Sequence, residues 1–273
     1  MKSPLTRLEA TLLWAVAIAA VAACCGPAVA QQAHYHAFAD QRAWWGLPNA
    51  MDVLSNLPFA VGGLWGLLAI QRRPPSVQRG LAALFFAGLL IAALCSSIYH
   101  WQPDDTRLAL DRFGMVAAFA GLLGLAVADR TSDRAGLWTA GTVLLWGPVS
   151  VAVWSATDNL LPWAALQGGG MLLLLCLAVC KPLPGAWGIR LGGVIGVYAL
   201  AKLLELDDHS VFVGTSGWVS GHSLKHAVAA LAALAGAGRA AVTHGYAQWC
   251  ATPAGYGGPV NSDCSVFNSC QRT

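Results

Sequence analysis

After residue 50 the chain alternates long apolar runs with short polar connections, and the runs have the length of a lipid bilayer. Seven stretches qualify, at 51–70, 80–99, 109–128, 136–154, 160–180, 188–205 and 222–241. A helix rising about 1.5 Å per residue needs about 20 apolar residues to cross a hydrocarbon core. Water is absent there, so every backbone N–H and C=O must be satisfied within the helix. The connections are too short to hold a soluble domain, and sequence neighbours should pack as antiparallel pairs. The pattern therefore predicts an all-α, polytopic seven-transmembrane-helix bundle over residues 31–243.

The polar connections orient that bundle. Loops 71–79 (QRRPPSVQR), 129–135 (DRTSDRA) and 181–187 (KPLPGAW) carry Arg72, Arg73, Arg79, Arg130, Arg134 and Lys181. They alternate with WQPDDTR, SATDN and the connection 206–221, which are acidic or neutral apart from Arg107. Basic loops stay on the cytoplasmic side, so the chain after residue 30 starts outside and the C-terminus lies in the cytoplasm.

Two flanking segments complete the organisation. Residues 1–30 read as a signal peptide, with Lys2 and Arg7 before an apolar run and Ala28-Val29-Ala30 as a cleavage site, or as an uncleaved N-terminal hydrophobic helix. Residues 244–273 form a Gly/Pro/Ser-rich tail with Cys250, Cys264 and Cys270, expected to be flexible because it has no periodicity. Composition agrees with a lipid-facing chain: charged residues are 11% of the total, against roughly a quarter in soluble domains. The net charge of +3 gives no reason to expect a nucleic-acid partner.

Against this background, ionisable residues inside the runs stand out, because such groups are costly in a bilayer and normally face the bundle interior. Ser96 and His100 lie four apart at the outer end of the second run, and therefore on one helix face. Asp111 follows across a short outer loop, where it should meet His100. His222 and His226 are again four apart, at the outer end of the seventh run. Three imidazoles from two helices at one depth give the donor count of a catalytic zinc site, which leaves a fourth position for water. Paired histidines on facing helices also suit haem, and a receptor-like protein with a structural zinc is a further alternative.

Other polar residues have quieter readings. Lys202 and Glu205, three apart in the sixth run, should pair with each other. Lys225 is off the face shared by His222 and His226 and is expected to point elsewhere. Ahead of the first run, Asp40, Asn49, Asp52, Ser55 and Asn56 are oxygen donors that suit calcium or cap helices. His34 and His36 read as loop residues.

The order S-x-x-x-H (Ser96 to His100), Asp111 and H-x-x-x-H (His222 to His226) resembles the alkaline ceramidase family, within the seven-helix hydrolases that include the adiponectin receptors. The segment FADQRAWWGLPNAMDVLSNLPF is similar to its bacterial branch. The resemblance covers about residues 34–240. It implies zinc on His100, His222 and His226, with Ser96 and Asp111 as catalytic groups beside the water. By analogy with the animal enzymes it places a second ion, calcium, at Asp40, Asn49 and Asp52, although this chain has fewer acidic residues there. The activity implied is hydrolysis of the amide of ceramide or a related N-acyl lipid drawn from the membrane. The setting implied is a bacterial inner membrane with the site toward the periplasm.

Overall fold

The computed structural model describes residues 4–233. Its helices are α1 (Arg7–Cys25), α2 (Ala50–Leu54), α3 (Leu57–Ile70), α4 (Val77–Trp101), α5 (Asp105–Arg130), α6 (Asp133–Thr157), α7 (Leu161–Ala178), α8 (Leu191–Leu206), α9 (Asp208–Gly214) and α10 (Gly221–Ala230). No strand occurs among the described residues. Five stretches are long and apolar enough to cross a membrane: α2 with α3, α4, α5, α6 and α7.

The sixth and seventh expected spans come out differently. Helix α8 has only 16 residues. It starts late because Pro182 and Pro184 cannot continue a helix and because Asp129 of α5 holds the preceding loop, accepting the Gly188 amide at 2.8 Å. The connection after α8 contains the short helix α9 where an open loop is expected. Helix α10 begins where the seventh run begins, but 234–241 lies outside the described residues, as does the tail 244–273 with its three cysteines.

The first expected span is broken at Ser55-Asn56. There the Ser55 hydroxyl donates to the Asp52 carbonyl and the Asn56 amide donates to the same oxygen, both at 2.9 Å. Such side-chain bonds compete with the helical ladder, and Pro58 in the first turn of α3 marks the restart. Where α3 runs regularly, Leu57, Val61, Leu64 and Leu68 form an exposed apolar stripe at helical spacing. An exposed stripe of this kind suits hydrocarbon rather than water.

Helix starts follow from local chemistry. Ser76, Asp104, Ser132 and Ser220 each accept a backbone N–H three residues on, capping α4, α5, α6 and α10. Hydrogen bonding from the Arg107 amide holds the Asp104 carboxyl below its ordinary range. That contribution to stability is present above the usual aspartate pKa and is lost as pH falls through the lowered value. In α1, Thr6 and Glu9 form a reciprocal capping box. Glu9 also accepts the Ser132 hydroxyl at 2.7 Å and Arg134 Nε at 3.1 Å, which ties α1 to the α5–α6 turn.

Small residues set the spacing of the α4–α5 hairpin. A Cβ added at Gly88 would stand 2.2 Å from the Ala118 nitrogen, and one at Gly121 would stand 2.2 Å from the Phe85 nitrogen. The two backbones therefore touch, as small-residue seams in membrane helices allow. This contact sets Ser96 of α4 beside Asp111 of α5.

Candidate metal centre

Helix periodicity puts Ser96 and His100 on one face of α4, and His222 and His226 on one face of α10. Packing then brings the two faces together. All three histidines are buried, and one ring nitrogen from each lies within 4.8 Å of the other two. His100 Nε2 and His222 Nε2 are 3.2 Å apart. Ligand nitrogens in a tetrahedral zinc site, with bonds of about 2.0–2.1 Å, stand about 3.3–3.4 Å apart. The cluster therefore has three donors that could hold a metal ion, and it is the one such His/Cys/carboxylate group among the described residues.

Helix α10 is held in place at its first turn. A Cβ at Gly221 would stand 2.2 Å from the Leu204 carbonyl oxygen, so only glycine permits α10 to approach α8 this closely. The His222 amide donates to Asp208 Oδ1 at 2.8 Å, and Asp208 Oδ2 accepts the Ala39 amide at 2.9 Å. One carboxylate thus joins α10 to the extended segment before α2. From that segment Phe38 lies over the cluster, its ring centroid 4.4 Å from that of His222 and 4.9 Å from that of His100.

A further residue orients His226. Ser55 Oγ stands 2.8 Å from His226 Nδ1. Ser55 Oγ also stands 2.9 Å from the Asp52 carbonyl, which can only accept. In the tautomer where that carbonyl takes the Ser55 proton, His226 Nδ1–H donates to Ser55 and the Nε2 lone pair is free for a metal. Ser55→Ala is expected to lower metal affinity about 10–100-fold, the usual effect of losing such an outer partner, with the fold retained. Competition against a metal chelator measures it.

Ser96 and Asp111 occupy one wall of a cavity that also exposes His226. The cavity encloses about 1050 Å³ counted out to its open mouth and is lined mainly by apolar side chains, Phe59, Phe85, Leu89 and Phe119 among them. Asp111 has Ser96 as its hydrogen-bonding neighbour, one turn before His100 on the same helix. Asp111 was expected to meet His100; the residue of α4 that hydrogen-bonds to it is Ser96 instead.

The oxygen donors ahead of α3 are engaged within the protein in part, while Asp52 Oδ2 and Asn56 Oδ1 are buried with no hydrogen-bond partner among the described residues. The Asp40 carboxylate is matched by Arg42, whose Nε and Nη2 stand 2.8 Å and 2.6 Å from its two oxygens. Asn49, in a left-handed backbone conformation, donates its amide to the His100 carbonyl at 2.9 Å. Asp52 accepts the Ser223 hydroxyl at 2.7 Å. These residues brace the metal helices: Asn49 holds the end of α4 and Asp52 the start of α10. His36 is a loop residue as expected, standing 2.9 Å from the Tyr99 hydroxyl and 3.1 Å from Asp105.

The Lys202–Glu205 pair forms as expected. Lys225 does not point away: its Nζ lies 2.7 Å from Glu205 Oε1, and both line the same cavity as Asp111. The i, i+4 face of α10 conceals this, because the partner belongs to α8. No protein-family model matches the chain, and no curated protein sequence matches it.

Proposed function

We propose that the protein is an integral-membrane, zinc-dependent amide hydrolase that cleaves ceramide or a related N-acyl lipid into a fatty acid and a sphingoid base or amine. The single observation that carries this reading is the placement of Ser96 and Asp111 in one apolar cavity with His226 of the histidine cluster. In the proposed arrangement seven helices span a bacterial inner membrane, with the site toward the periplasm and the C-terminus in the cytoplasm.

His100, His222 and His226 would hold the zinc. When bound, zinc supplies a Lewis acid that polarises the amide carbonyl and makes water acidic enough to attack near neutral pH. The chain's own residues do the rest. Asp111 takes a proton from the attacking water and delivers it to the departing nitrogen, so that one water is consumed, the C–N bond breaks, and a carboxylic acid and an amine result. Ser96 donates to the Asp111 carboxylate before reaction. Once Asp111 carries the water's proton its O–H donates to Ser96, whose own hydroxyl then turns to the carbonyl oxygen as negative charge develops there. The apolar lining packs the acyl chain and keeps bulk water out.

A haem-binding carrier finds less support. A macrocycle needs a flat slot between two axial nitrogens, whereas here the third histidine and Phe38 fill the space around the first two. The test is zinc quantification on purified protein combined with a mass-spectrometric screen of N-acyl lipids, before and after chelation. About one zinc per chain and chelator-sensitive release of fatty acid are expected. A Soret absorption band in zinc-free protein would overturn the reading.

A further inference from the structure

Helix α1 is anchored at both ends, and its two anchors lie at opposite ends of α6. At the first, the buried Glu9 carboxylate accepts the Ser132 hydroxyl at 2.7 Å and Arg134 Nε at 3.1 Å, from the turn that leads into α6. At the second, the connection after α6 engages both main-chain groups of Val29. The Val29 amide donates to Asn159 Oδ1 at 3.1 Å, and the Leu160 amide donates to the Val29 carbonyl at 2.7 Å. Two residues on, Gln31 Oε1 accepts Arg112 Nη2 of α5.

Helix α1 therefore runs the length of α6, which is itself long and apolar enough to cross a membrane. Its 19 residues rise about 28 Å at 1.5 Å per residue, close to the roughly 30 Å of a hydrocarbon core. One side of α1 meets the protein: Leu12 packs on the main core and Ala23 is buried. On the other side Trp14, Ile18 and Val21 form an exposed apolar stripe at helical spacing, which suits lipid. A carboxylate in apolar surroundings is costly unless it is paired and hydrogen-bonded. The partners of Glu9 stand 123 and 125 positions away, so its placement belongs to the folded protein. A cut after Ala30 would take that carboxylate away from Ser132 and Arg134.

We infer that α1 is retained in the working protein as a further membrane-crossing helix, locked by Glu9 to Ser132 and Arg134, and that the Ala30–Gln31 bond stays intact. The start of α1 then lies on the side of the basic α5–α6 turn, the side proposed above as cytoplasmic. The inference does not depend on the hydrolase reading, but it bears on the site. The segment 31–49, which carries Phe38 over the histidine cluster, becomes a loop tethered at both ends rather than a free N-terminal tail.

The test is the intact mass and N-terminal sequence of the full-length chain, carrying a C-terminal tag only and purified from bacterial membranes. The expected mass is 28.5 kDa plus the tag, with α1 present. A chain beginning at Gln31, or anywhere beyond Glu9, would overturn the proposal. Thermal unfolding in detergent tests the lock separately. Glu9→Ala should lower the midpoint by about 5 °C or more, the scale of losing one partner of a buried ion pair. Arg134→Ala should also lower it, and the double variant should lose less than the sum of the two, because both remove the same bond. An unchanged midpoint in Glu9→Ala, or strictly additive losses, would overturn the lock.

Discussion

His222→Ala is expected to abolish zinc binding and amide hydrolysis together. His222 Nε2 stands 3.2 Å from His100 Nε2, so removing the imidazole takes away one of three donors and leaves a site that water must complete. The loss should exceed the roughly 10–100-fold effect of an outer partner, and zinc content after dialysis should fall from about one per chain to background. The backbone anchor survives, because the bond to Asp208 comes from the residue 222 amide and not from the ring. His222→Gln, which keeps side-chain bulk, controls for packing. Retention of stoichiometric zinc in both variants would show that the cluster is not the metal site.

Asp111→Asn should separate chemistry from metal binding. Asp111 lies outside the converging trio of ring nitrogens, so zinc content and thermal stability should match wild type. The amide of Asn still accepts a hydrogen bond from Ser96 but cannot take a proton from water, and kcat should fall by about 10²–10⁴-fold, the usual contribution of a general acid-base group. Full activity would remove Asp111 from the mechanism. If wild-type protein binds zinc yet cleaves nothing, and the variant is indistinguishable from it, the zinc is structural.

Much of the centre was legible because helical spacing does the placing. A spacing of four from Ser96 to His100, and again from His222 to His226, sets each pair on one face whatever the surrounding fold. The supporting residues were less accessible for a physical reason: their partners are remote in sequence. Ser55 contacts His226 across 171 positions and Asp208 contacts Ala39 across 169. Lys225 illustrates the opposite error. Its position on α10 points off the histidine face, and only the approach of α8 supplies Glu205. The partners of Asp40, Asn49 and Asp52 were likewise not legible in the spacing, although Arg42, which holds the Asp40 carboxylate, stands only two residues beyond it. Helix lengths were blurred where local competition intervened, at Ser55-Asn56 and at the Pro182–Pro184 approach to α8.

The Asp208 carboxylate, with one oxygen on the Ala39 amide and the other on the His222 amide, makes the cover over the site and the metal-bearing helix a single mechanical linkage. Any outward swing of the segment bearing Phe38, as departure of a polar amine toward the aqueous side would require, must break the first bond. The first turn of α10 then keeps the His222–Asp208 bond, the Gly221 packing and the Ser220 cap. Asp208 is thus shared between the segment that covers the histidine cluster and the helix that carries two of its three members.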